Sequence, residues 1–389
     1  MLTSVVLVAV LLLTACSGAD DSSEPAGGKL LTAELLSSAT PEQLRPAIAT
    51  TFDPGAVRYG VEMFRITYRT GGPTTASALV VLPIDAPGPV PVAGYLHGTT
   101  IFRGQVASVA DGPDRAAAAL LASAGFVTVA PDYFGLGTGP GSHPYMVVEP
   151  TVTAAVDALS AGRELSVQRR IMLSDKAFLA GFSQGGAATM WVGRALENDA
   201  VPGLRPAGIA SIAGPLDLLG AELPAAFDGR LEPKTANYYL SYLTYAYHGT
   251  YRLFDQVSRP FRAPYDTTLV PLLDGSHTDA EIVGALPATL DELFTPEHLA
   301  QLRNPTGQLR AALTVNDGAC VNWVPPVPVR LYSGRLDTDV TADNSARCRA
   351  SFAAHGADVD HIDLGPVNHT GTAVAAVPQV VAWFTELAR

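Results

Sequence analysis

Residues 177–180 form an apolar, strand-like run that passes directly into Gly181-Phe182-Ser183-Gln184-Gly185, and residues 185–196 after it read as a helix. A strand, a tight turn and a helix in that order hold a serine hydroxyl clear of the backbone above the end of a sheet. Gly181 and Gly185, helped by Gly186, remove side chains where strand and helix must approach closely. The G-x-S-x-G pattern alone is weak, because glycine and serine are common. Its flanks give it meaning.

Around this turn the chain alternates between two kinds of segment. Residues 57–70 and 76–83 carry strand-like apolar content, with Gly71-Gly72-Pro73 between them, and predict an antiparallel pair. Short buried strands are predicted at 90–96, 126–130, 177–180 and 208–213, with helices at 114–124, 152–163 and 185–196. Strands separated by helices mean a mostly parallel sheet with helices on both faces, an α/β fold. The rhythm breaks between Ala213 and Val327, then resumes with strands at 327–332 and 359–364 and helices at 342–355 and 372–387. The break reads as an inserted helical cap over 215–326, splitting a core of 30–214 and 327–389. Thr295-Pro296-Glu297 and the capping box Thr278-Asp279-Ala280-Glu281 predict helices inside it. Residues 238–254 are rich in tyrosine, which suits either cap packing or contact with an acyl or aryl group.

An exposed serine hydroxyl needs a base. Among eight histidines, His369 follows the last predicted strand and precedes the last helix, and the carboxyl ends of strands are where a sheet presents reactive groups. His355 and His361 fall within predicted elements and read as structural or solvated. His143, His248, His277 and His298 have no chain-order argument in their favour. The third partner is expected to be a carboxylate between serine and histidine. Asp337 fits, in the loop after the strand at 327–332, with Asp339 its near rival and Asp217 its distant one. Two backbone amides are expected to receive an oxyanion: that of Gln184, at the start of its helix where amides lack intrahelical partners, and that of Thr99 in His97-Gly98-Thr99.

Taken together, Ser183, Asp337 and His369 in that chain order resemble an α/β-hydrolase. Tyr95-Leu96-His97-Gly98-Thr99, Asp132-Tyr133-Phe134-Gly135-Leu136-Gly137 with His143-Pro144-Tyr145, and Gly181-Phe182-Ser183-Gln184-Gly185-Gly186-Ala187 are similar to the bacterial and fungal secretory lipase family. That resemblance implies hydrolysis of carboxylic esters by a serine nucleophile beneath a cap inserted after the sixth core strand. It covers about residues 67–213 and 327–389 and leaves the cap unmatched. A serine peptidase or a polyester or polysaccharide-ester hydrolase could use the same triad, and a non-catalytic lipoprotein could use the cap to bind a ligand. No metal or organic cofactor is implied, since helix capping accounts for Asp274-Gly275-Ser276-His277-Thr278-Asp279.

The N-terminus reads as an address. Residues 5–13 are an unbroken apolar run, too short to span a bilayer, so 1–15 is expected to be a signal peptide. Leu13-Thr14-Ala15-Cys16 resembles a bacterial lipobox, which makes Cys16 the expected lipidation site and 16–29 a flexible tether reaching about 20 Å. The expected location is therefore outside the cell or on its surface, with membrane contact through the anchor alone. With Cys16 spent, Cys320 and Cys348 are an even pair in an exported chain and are expected to form a disulfide. A formal net charge of −12 without a basic run argues against nucleic acid as a partner and leaves a small-molecule or lipid ester.

Overall fold

The computed structural model describes residues 27–71, 74–321 and 323–389; the signal segment and Cys16 lie outside the described residues. Among the described residues nine strands form one sheet in the order β1-β2-β3-β5-β4-β6-β7-β8-β9. They are β1 Leu30–Ala39, β2 Val61–Thr70, β3 Thr74–Pro83, β4 Val90–Leu96, β5 Val127–Pro131, β6 Leu173–Phe182, β7 Arg205–Ile212, β8 Val329–Ser333 and β9 Val359–Asp363. The first three strands run antiparallel to their neighbours, and β3 also meets β5 antiparallel. From β5 to β9 every pairing is parallel. Parallel strands need crossovers, and helices supply them.

The helices are α1 Pro41–Ile48, α2 Pro113–Ser123, α3 Val148–Gln168, α4 Gln184–Glu197, α5 Leu223–Asp228, α6 Pro233–Tyr251, α7 Tyr265–Thr268, α8 Asp279–Ala285, α9 Leu290–Leu293, α10 Pro296–Arg303, α11 Gly307–Asn316, α12 Asp343–Ala354 and α13 His369–Leu387. One face of the sheet packs on α3, α4 and α12 through Leu159, Met190 and Phe352, all buried. The other face packs on α1, α2 and α13 through Leu44, Leu120 and Phe384. With both faces covered, the central strands are apolar where they cross the core: Phe178, Leu179, Ile209 and Ala210 are all fully buried.

Between β7 and β8 the chain leaves the sheet and builds a helical layer with its own core, in which Tyr242, Tyr247, Leu293 and Phe294 are buried. The capping box at Thr278 and Glu281 starts α8, and Thr295 caps α10 by accepting from the His298 amide. The chain returns through Cys320, whose sulfur is bonded to that of Cys348 on α12. Closing a loop of 28 residues contributes about 3–4 kcal/mol in the chain-entropy account. Within the core, sequence reading missed two elements, β1 and α1, and within the cap it marked only the starts of α8 and α10. In β1 the pattern Leu-Leu-Thr-Ala-Glu-Leu-Leu gives no period-two alternation, because this edge strand is exposed along most of its length.

Candidate active site

Ser183 stands at the turn between β6 and α4 with φ 54° and ψ −120°, a backbone conformation that side chains rarely adopt. Its amide donates to the carbonyl of Ile212 at 2.8 Å, which pins the turn to the neighbouring strand. The two flanking glycines are required by contact. A methyl group on Gly185 would run into the Leu96 carbonyl, and one on Gly181 into the Gly185 carbonyl.

His369 opens α13. Its N-cap is Asn368, whose side chain accepts from the Gly371 amide at 2.9 Å and so sets the direction in which the helix begins. The imidazole Nδ1 donates to Asp337 Oδ2 at 2.8 Å, and both side chains are almost completely buried. A carboxylate only accepts, so Nδ1 carries a proton, and in the neutral imidazole Nε2 is the nitrogen with the lone pair. Nε2 is buried and has no hydrogen-bond partner among the described residues. The Phe182 ring packs against the imidazole, with centroids 4.6 Å apart.

Asp337 lies in the loop after β8. Its second oxygen accepts the amides of Asp339 and Val340, each at 2.9 Å. Asp339, the near rival, instead accepts the Tyr239 hydroxyl from α6 at 3.2 Å, and burial raises its carboxyl above the usual carboxylate range. Asp217, the distant rival, is held by Arg347 at 2.5 Å. Of the three carboxylates, Asp337 is the one hydrogen-bonded to His369.

The amides of Thr99 and Gln184 have no acceptor among the described residues. Ser183, Thr99, His369 and Asp339 line one cleft of about 320 Å³. Ser183 also opens on a second, narrower cavity of about 60 Å³, walled largely by Leu218, Leu223, Leu240 and Leu243 under the cap. The serine thus sits where a cleft of mixed lining, with Phe52, Phe182 and Val374 beside Thr99 and Asp339, meets an aliphatic pocket.

No family model and no curated protein sequence matches the chain. Solved structures do. A Legionella pneumophila protein classed as a hydrolase is 27% identical, over 93% of this chain and 98% of that one, with a TM-score of 0.84. The rice cell wall degrading esterase LipA from Xanthomonas oryzae is 26% identical over the same shares, with a TM-score of 0.80. The chain is an α/β-hydrolase of the esterase and lipase class. Candida antarctica lipase A, 16% identical over 88% of this chain and 78% of its own, shares the fold at a TM-score of 0.63.

Two supports of this hydrolase's candidate site escaped the sequence reading. His143 donates through Nδ1 to the Phe134 carbonyl at 2.9 Å and accepts at Nε2 from the Gln184 side chain at 2.8 Å. Burial lowers its pKa to about 3, so it stays neutral and holds Gln184 in place. Asp279, noticed only as part of a helix start, accepts Thr100 Oγ1 at 3.1 Å, the Ile101 amide at 3.0 Å and the Tyr238 hydroxyl at 2.8 Å. One cap carboxylate therefore ties the loop after β4 to the cap. The tyrosines divide between tasks: Tyr242 stacks on Tyr145 at 4.5 Å within the packed interior, whereas Tyr145 and Tyr239 line the narrower cavity.

Proposed function

We propose that this hydrolase is an exported serine carboxylic ester hydrolase that works through Ser183, His369 and Asp337 by way of an acyl-enzyme. The observation that carries the reading is the buried, unpartnered Nε2 of His369, in a residue that lines one cleft together with Ser183. In the proposed sequence the Ser183 oxygen attacks the ester carbonyl while His369 Nε2 takes its proton. Asp337 keeps the imidazole in the required tautomer and stabilises its charge. The amides of Thr99 and Gln184 receive the oxyanion, each lowering the barrier by roughly 3–4 kcal/mol. His369 then protonates the departing alcohol, and water attacks the acyl-enzyme by the same route in reverse.

The aliphatic cavity under the cap suits the acyl chain, and the larger cleft of mixed lining suits the alcohol. The likeness to a cell wall degrading esterase favours polysaccharide-linked esters as a second substrate class to set beside lipid esters. The lipobox at Leu13 to Cys16 and the disulfide both favour export, with Cys16 as the lipid anchor. In this account residues 30–214 and 327–389 are the catalytic core and 215–326 the lid that shapes the acyl pocket. Replacing Ser183→Ala should lower turnover of a chromogenic short-chain ester by at least about 10⁴-fold with an unchanged circular dichroism spectrum. Turnover near the wild-type rate would refute the assignment.

A further inference from the structure

Glu222 has no task in the mechanism above, yet it stands in the pocket. It ends the π-helical turn Leu218–Glu222 and leads into α5. Its Oε1 accepts from the Asn344 side chain, from the Thr341 amide at 3.1 Å and from the Thr341 hydroxyl at 3.4 Å. Its Oε2 has no hydrogen-bond partner among the described residues, and the side chain lines the narrow cavity together with Ser183. Most of that wall is aliphatic, so a carboxyl group there is out of character.

The charged and titratable groups around Glu222 are unfavourable to ionisation. Asp337 and Asp339 face it from the loop after β8, Tyr145 from the segment before α3 and Tyr239 from α6. On its own turn Asp217 is paired with Arg347 of α12, and Asp317 beyond α11 accepts the amides of Leu218 and Leu219. Among the described residues no cation acts on the Glu222 carboxyl. Burial, with a contribution from Asp337, pushes its pKa up to about 7 against the hydrogen bonds from Asn344 and Thr341.

We propose that Glu222 is a specificity-determining residue that makes the acyl-chain preference of this site depend on pH. This rests on the ester-hydrolase reading and deepens it. While the carboxyl is protonated, an apolar chain can lie against it at small cost. Once it is ionised, the same chain must strip water from a charge and offers no hydrogen bond in return. A long acyl chain reaches the wall that Glu222 occupies, whereas an acetyl group stops near Ser183.

The test is the kcat/KM ratio for p-nitrophenyl octanoate over p-nitrophenyl acetate, measured on the full chain from pH 5.5 to 8.5. Any pH effect on the chemical step that is common to the two esters cancels in the ratio. The ratio is expected to fall about tenfold with a midpoint near pH 7, an unpaired charge being costly to cover. In Glu222→Gln and Glu222→Leu it should stay high and flat. A flat wild-type profile overturns the proposal and does so without any variant. A fall that persists in Glu222→Gln but vanishes in Asp339→Asn overturns it in favour of Asp339. Absence of turnover with both esters would instead sink the ester-hydrolase reading, and this proposal with it.

Discussion

Asp337 uses its two oxygens for different purposes: one receives His369 Nδ1, and the other takes two amides from its own loop. The loop amides hold the carboxylate still, so the imidazole is oriented by a rigid partner. Asp337→Asn should lower kcat by about 10³–10⁴-fold, because an amide in that position allows the wrong imidazole tautomer. Asp339→Asn should stay within about tenfold of wild type on a short ester, since its carboxyl bonds Tyr239 and not the imidazole. Equal losses in the two variants, measured as kcat with melting curves as control, would contradict the roles given to them. At this scale the sequence was informative wherever chain order carries the argument: His369 and Asp337 each follow a strand of the parallel half of the sheet. It was silent on His143 and Asp279. Their partners, Gln184 and the loop after β4, lie 41 and 178 residues away, and only the folded cap brings Asp279 to that loop.

At the scale of elements, the strand–turn–helix around Ser183 depends on backbones passing closer than any side chain allows. Gly185 in α4 faces the Leu96 carbonyl of β4, whereas Gly284 in α8 has open space where a methyl group would go. Gly185→Ala should therefore cost about 1–3 kcal/mol in urea denaturation, with a matching loss of activity. Gly284→Ala should change stability by no more than about 1 kcal/mol, and in the stabilising direction. A neutral Gly185→Ala would mean that the turn at Ser183 has room for a side chain there. Elements were legible where periodicity or capping spoke: the buried central strands, the long helices and the box at Thr278. The exposed edge strand β1 gave no such signal, and α13 begins at His369, earlier than the apolar pattern suggests, because Asn368 caps it.

Across the whole molecule, two apolar layers enclose the sheet and a third lies within the cap. The disulfide fastens the returning chain to α12, the helix that follows the Asp337 loop, while Asp279 and Tyr239 join cap to core beside Ser183. The sheet architecture was readable from the alternation of segments. The cap's internal packing was not, because its short helices gain their stability from tertiary contact and leave weak local patterns. The claim that unites these scales is that Ser183 is the nucleophile. A fluorophosphonate probe, with intact-mass and peptide analysis, tests it most directly. One equivalent should bond to Ser183, and His369→Ala should slow the reaction by several orders of magnitude. Brisk turnover of p-nitrophenyl esters by a protein whose Ser183 stays unlabelled would contradict the account.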